Sequence, residues 1–158
     1  MNPKISILLP VYNGEKYICE AITSLLNQTF VDFELIIIND GSNDNSKNII
    51  KSFSDSRIKF IENENNLGIS EALNHGLRYV KGEYIARADA DDISFPDRLK
   101  IQYNYLIDKK IDLVYSRYFN ENISTKKITE SIKYDFTLAE TKSHMFFYDI
   151  THGTVMFK

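Results

Sequence analysis

Three carboxylates fall within four residues at Asp89-Ala90-Asp91-Asp92, directly after the apolar-leaning run Glu83-Tyr84-Ile85-Ala86-Arg87-Ala88. Crowding of this kind is costly unless a cation sits among the oxygens. Oxygen-only clusters suit hard divalent ions, and Mg²⁺ in particular is held by one or two carboxylates together with water and substrate phosphates. The stretch therefore reads as a metal site for a phosphorylated ligand, with a solvated acidic loop as the plain alternative. Arg87, beside the cluster, carries two readings as well: a contact to phosphate or acceptor, or a simple ion pair.

The elements that must position this cluster alternate along the chain. Lys4 to Leu9 is a short apolar run closed by Pro10, too short for a helix and suited to a buried strand. After Asn13-Gly14, the residues Tyr17, Ile18, Ala21, Ile22, Leu25 and Leu26 recur at helical spacing. A second strand is predicted over Phe33 to Ile38, ending in the turn residues Asn39-Asp40-Gly41-Ser42, and Ile49, Ile50 and Phe53 mark the next helix. Arg57 to Ile61 is a third strand. A helix then opens at Gly68 and is expected to close with Gly82 as its C-cap.

Glu83 to Ala88 is the fourth strand and leads into the aspartates. Pro96 stands where a helix begins, with Leu99, Tyr103, Leu106 and Ile107 on one face, and Ile111 to Tyr118 and Thr154 to Lys158 are further strand candidates. Asn120 to Thr141 is mixed and polar, readable as an insertion or as short antiparallel elements. Strands alternating with amphipathic helices specify right-handed βαβ units, hence an α/β fold with a parallel sheet covered on both faces. Ligands in such sheets sit beyond the carboxyl ends of the strands. Pro10-Val11-Tyr12-Asn13, Asn39-Asp40-Gly41-Ser42 and Asp89-Ala90-Asp91-Asp92 all follow strand ends, so one crevice can hold all three.

Composition narrows the partners. At 158 residues, 43% hydrophobic and 13% aromatic, the chain fits one compact domain over 1–158 with a sizeable core. A net charge of −3 gives no basic field for a polyanionic duplex, so nucleic acid is not an expected partner. Cys19 has no disulfide mate, and no apolar window approaches the about 20 residues of a membrane span. The expected setting is cytoplasmic, with peripheral work at the inner face of a membrane compatible.

Taken together, Pro10-Val11-Tyr12-Asn13-Gly14, Ser24-Leu25-Leu26-Asn27-Gln28-Thr29-Phe30, Asn39-Asp40-Gly41-Ser42, Asn66-Leu67-Gly68, Lys81-Gly82-Glu83-Tyr84-Ile85-Ala86 and Asp89-Ala90-Asp91-Asp92 with Pro96-Asp97-Arg98-Leu99 resemble family-2 glycosyltransferases of the GT-A fold. The resemblance covers nearly the whole chain. It implies a nucleotide-diphospho-sugar donor, with UDP preferred because the family favours it, a divalent metal (Mn²⁺ or Mg²⁺), and transfer to a hydroxyl on a glycan or lipid-linked acceptor. The implied pathway is bacterial surface polysaccharide or glycan synthesis.

The resemblance places Pro10, Val11, Tyr12, Asn13, Asp40, Asn66 and Asp89 at the donor. Tyr12 is suited to stacking on the base, with a core tyrosine as the alternative. Asp40 is suited to a base N–H or a ribose hydroxyl, with an Asx-turn or N-cap role compatible. Asn39 stands where the family more often has a second aspartate. Asp91 aligns with the metal-holding position and Asp89 with the first member of the DXD motif, which touches ribose or metal. Asp92 divides between orienting its neighbours and capping the following helix. His152 resembles part of the strand bordering the acceptor side, with packing as the alternative, and His75, inside a helix, receives no role.

An inverting transfer needs a general base to take the acceptor hydroxyl's proton. In the family that aspartate lies beyond the stretch matched by Thr151 to Phe157, so it is expected after Lys158; Glu140 and Asp149 lack its context. The chain accordingly reads as a donor-binding portion, incomplete at its C-terminus. Two other functions compete: a non-catalytic nucleotide-sugar-binding module, and a nucleotidyltransferase, for which Pro10-Val11-Tyr12-Asn13-Gly14-Glu15 is a poor phosphate loop.

Overall fold

The computed structural model describes residues 2–116, 118–122, 124–130 and 152–158. Four parallel strands form its centre: β1 (Ile5–Val11), β2 (Phe33–Asp40), β3 (Ile58–Asn63) and β4 (Tyr84–Arg87). They are joined by α1 (Ile18–Leu26), α2 (Ser46–Lys51) and α3 (Ile69–Leu77), and α4 (Arg98–Lys109) follows β4. Beyond these come β5 (Leu113–Tyr115), a small antiparallel ribbon of β6 (Phe119–Glu121) and β7 (Ile128–Glu130), and β8 (Val155–Phe157).

The main sheet has the order β3-β2-β1-β4-β8-β5, and β8 runs antiparallel to both its neighbours. The expected parallel sheet is thus mostly parallel, with one late strand reversed. The ribbon supplies antiparallel elements in the polar stretch after Asn120; its continuation from 131 to 141 lies outside the described residues.

The two sheet faces carry two cores. Ile5, Ile7, Leu9 and Val11 alternate along β1 onto the same side as Leu35 and Ile37, where Ile18, Ile22, Leu25, Ile50, Leu99 and Leu106 cover them. Each such side chain, wholly removed from water, contributes about 1.5–3 kcal/mol. On the opposite face Leu8, Ile36, Ile38 and Ile61 meet Ala72 of α3. Gly76 lets α3 settle there, since a Cβ would press into Ile38 and Leu8.

Gly82 is not a helix C-cap. α3 ends at Leu77, with Arg78 in a right-handed conformation and short backbone turns carrying the chain to Val80. Gly82 instead passes so close to β1 that a Cβ would lie 2.5 Å from Ser6 N and 2.7 Å from Ile5 C, and its N–H donates to Ser6 Oγ at 2.8 Å. The glycine is required by close approach of backbones, not by helix termination.

Pro10 separates the central strands. Ala88 N–H donates to Leu8 O at 3.0 Å, and the next rung of that ladder needs an N–H from residue 10, which proline lacks. β1 stays paired with β2 as far as Val11↔Asn39, while β4 diverges into the acidic turn. The crevice opens between them.

Candidate functional site

At the β1 and β2 side of the crevice, two loops are laced together by short polar side chains. Asn13 adopts a left-handed φ of 52°, donates its N–H to Ser42 Oγ (3.0 Å) and accepts Asn43 N–H at Oδ1 (2.9 Å). Gly14 N–H reaches Ser46 Oγ, Glu15 N–H reaches Asp44 Oδ2, and Glu15 Oε2 accepts Asn45 N–H, each at 2.9 Å. Burial pushes the Asp44 carboxyl up, but hydrogen bonds from the Ser46 side chain and from the Glu15 and Ser46 N–H groups outweigh it and hold the group below the usual carboxylate range. The lacing fixes Tyr12, which is 47% exposed at the rim, whereas Val11 is buried in the strand.

Asp40 closes β2 as a buried carboxylate. Its oxygens accept Asn63 Nδ2 (2.6 Å), Leu67 N–H (3.1 Å) and Gly68 N–H (2.9 Å), so it tethers the loop after β3 rather than forming an Asx-turn or capping α2. Asn66 Oδ1 accepts Gly68 N–H at 2.8 Å. Gly41, at φ +66°, allows that loop to lie on β2, because a Cβ there would meet Asn65 and Asn66 backbone atoms at 2.5–2.8 Å. The buried Asn39 Oδ1 finds no hydrogen-bond partner among the described residues.

The acidic turn leaves β4 at the other side. Arg87, 8% exposed, grips Asp89 with both terminal nitrogens, at 2.6 Å to Oδ1 and 3.1 Å to Oδ2. Asp91 and Asp92 are exposed at the rim. The Asp92 carboxyl is raised by desolvation and by the charges of Asp89 and Asp91, against the opposing pull of Arg98 and Arg87. Gly153, in the 3₁₀ turn His152–Thr154 before β8, backs the cluster: a Cβ there would run into oxygens of Asp89 and Asp92. The His152 side chain lies outside the described structure.

Arg98 is the residue whose role the sequence left unassigned. Its Nη1 donates to Arg87 O (3.0 Å) and Gly153 O (2.9 Å), joining the ends of β4, the 3₁₀ turn and α4. Burial lowers its guanidinium to about 10, with Asp92 and Asp89 opposing that shift. Arg98 Nε and Nη2 and Arg87 Nε are buried without hydrogen-bond partners among the described residues. An arginine at the first helical position after three carboxylates was the available signal. Gln28 had a similar hidden use: its buried amide donates to Phe95 O (2.7 Å) and accepts Leu99 N–H (3.0 Å), seating α4 against α1.

Among the described residues no three aspartate, glutamate, histidine or cysteine side chains converge on one point. The donor set still suits a hard cation completed by phosphate oxygens: Asp91 is exposed, and beside desolvation Asp92 is raised by repulsion from Asp89 and Asp91, which a cation relieves. Asp89 is the least available of the three, since Arg87 already engages both oxygens, each of which keeps a lone pair.

A mostly parallel α/β sheet with an acidic turn at its carboxyl edge defines the GT-A class. The sequence matches the Glycosyl transferase family 2 model over residues 6–158, and the chain belongs to that family. It is 39% identical over 164 residues to an uncharacterized glycosyltransferase of Methanocaldococcus jannaschii, covering 99% of this chain and 56% of that protein. An Escherichia coli UDP-Glc:alpha-D-GlcNAc-diphosphoundecaprenol beta-1,3-glucosyltransferase is 39% identical over 114 residues, 72% of this chain and 45% of that one. Among solved structures, S. aureus TarS 1-349 in complex with UDP-GlcNAc aligns with a TM-score of 0.66 at 30% identity, covering 70% of this chain and 33% of that one. The chain therefore spans about half or less of these proteins' lengths.

Proposed function

We propose that this chain is the donor-binding part of an inverting, metal-dependent glycosyltransferase that takes a UDP-sugar and delivers the sugar to a hydroxyl of a glycan or lipid-linked acceptor in bacterial surface polysaccharide or glycan synthesis. The observation that carries the reading is the meeting, at one sheet edge of a family-2 chain, of the rigid loops bearing Tyr12 and Asp40 with the exposed carboxylate of Asp91. The UDP-GlcNAc complex of TarS and the glucosyltransferase activity of the E. coli relative support the donor and acceptor classes. A cytoplasmic setting, with peripheral association at the inner membrane face, suits such an acceptor; no helix among the described residues is long and apolar enough to cross a membrane.

In this reading Tyr12 stacks on the base, framed by Pro10, Val11 and Asn13, and Asp40 and Asn66 present oxygens to base or ribose. Asp89, held by Arg87, faces the ribose or the metal, and Asp91 holds the metal with Asp92 adjoining. A bound Mn²⁺ or Mg²⁺ supplies positive charge against the diphosphate leaving group. The acceptor oxygen forms its bond to the anomeric carbon as the bond to the diphosphate breaks, and its proton passes to a base assigned to no residue of this chain. His152 belongs to the acceptor side.

Calorimetric titration of UDP with and without Mn²⁺ tests the proposal. Binding strengthened by Mn²⁺ is expected, and negligible binding in both conditions removes it. Incubation with a panel of nucleotide sugars then separates an enzyme, which transfers or slowly hydrolyses its donor, from a module that only binds.

A further inference from the structure

His75 has a connection to the crevice that helical periodicity does not reveal. Asp40 and Asn63 are opposed in register at the last rung of the β2–β3 ladder, and both are buried. Asn63 Nδ2 donates to Asp40 at 2.6 Å, and Asn63 Oδ1 lies 2.5 Å from His75 Nδ1 on α3. A carboxylate only accepts, so the amide nitrogen of Asn63 must face Asp40; the flipped amide would set oxygen against oxygen. Asn63 Oδ1 is thereby fixed as an acceptor, and His75 Nδ1 must carry hydrogen. The ring is further supported by Tyr79, with centroids 5.6 Å apart, and Lys59 Nζ lies 4.3 Å from the centroid of the Tyr79 ring.

We propose that His75 is a positioning residue for the nucleotide site: its Nδ1–H locks the Asn63 amide, which aims Asp40 at the Leu67 and Gly68 N–H groups and so sets the loop that carries Asn66. The link to nucleotide affinity rests on the donor-site reading above, whereas the hydrogen-bond chain itself does not. Loss of the imidazole frees Asn63 to rotate, and Asp40 Oδ1 loses the side-chain donor that it holds beside Leu67 N–H. The geometry requires a hydrogen on Nδ1. A neutral ring with hydrogen only on Nε2 does not supply it.

The test uses His75→Leu, His75→Asn and His75→Gln, because the Asn amide nitrogen can replace Nδ1 and the Gln nitrogen replaces Nε2 instead. UDP titration in the presence of Mn²⁺ is expected to weaken about three- to ten-fold in the Leu and Gln variants, the scale of one buried hydrogen bond, with recovery in the Asn variant. Wild-type affinity in the Leu and Gln variants overturns the proposal. If the unaltered chain binds no UDP, the donor reading fails, and hydrogen exchange still decides the link: protection at Leu67 and Gly68, relative to β1 amides, should fall in the Leu variant and return in the Asn variant. Unchanged protection overturns it, as does an Nε2–H tautomer for His75 in nitrogen-15 NMR spectra.

Discussion

The two sides of the crevice are built on opposite principles. Around β1, β2 and β3, neutral side chains and carboxylates meet backbone and side-chain amide N–H groups at 2.6–3.1 Å, and a glycine-dependent contact at Gly41 presses a loop onto β2. Around β4 and β8, three carboxylates and two arginines crowd together, and three guanidinium nitrogens find no hydrogen-bond partner among the described residues. Preorganised dipoles suit a ligand of fixed shape such as a nucleobase; concentrated and imperfectly matched charge suits a ligand that brings charge of its own.

Replacing Arg98 with Met should have the largest effect, about 3 kcal/mol lost in urea unfolding, because it strips Arg87 O and Gly153 O of their donor and leaves Asp92 and Asp89 less compensated. An unchanged midpoint would mean that the charged side stands without its central arginine. Gly41→Ala attacks the other side, where a left-handed φ and contacts of 2.5–2.8 Å predict a loss of about 2 kcal/mol in thermal melts, together with weakened UDP binding.

Asp91→Ala should leave the melting temperature unchanged while removing about ten-fold or more of the Mn²⁺-dependent gain in UDP affinity, roughly the worth of one charge-assisted contact. Unaltered affinity moves the metal elsewhere.

Acid separates the two sides most subtly. Asp44 has a lowered folded value, so its contribution is present above the ordinary carboxylate value of 3.8 and is lost as pH falls through the still lower folded value. Asp92 has a raised value, so its charge destabilises the fold at neutral pH, and protonation relieves that as pH falls toward 3.8. Asp44→Asn should therefore flatten the acid limb below about pH 4, and Asp92→Asn should stabilise the metal-free chain at pH 7 by about 0.5 kcal/mol after solvent screening. Urea midpoints across pH 3–7 read both.

Much of this architecture was legible because strand and helix periods alternate so regularly: Phe33 to Ile38 and the Ile18, Ala21, Ile22, Leu25 face fall where the structure has them. The strand ends followed, and with them the shared crevice. Gly82 misled because helix termination and close backbone approach both select glycine, and only the path of β1 tells them apart. Partners distant in sequence were equally hidden. The place of Arg98 just after three carboxylates hints at burial but not at its bridge between Arg87 O and Gly153 O, and nothing local distinguishes Gln28 from a helix-ending polar residue until α4 is folded against it.

The reversal of β8 has a consequence for how the chain acquires its shape. Ala86 pairs with Met156, far along the chain, and among the described residues β5 joins the sheet through β8, whereas β1, β2 and β3 pair across short helical crossovers. Long loops delay pairing, so the half bearing Tyr12 and Asp40 should consolidate first and the buttress behind the aspartates last. During synthesis, the acidic turn would then wait for this support until Val155–Phe157 have left the ribosome.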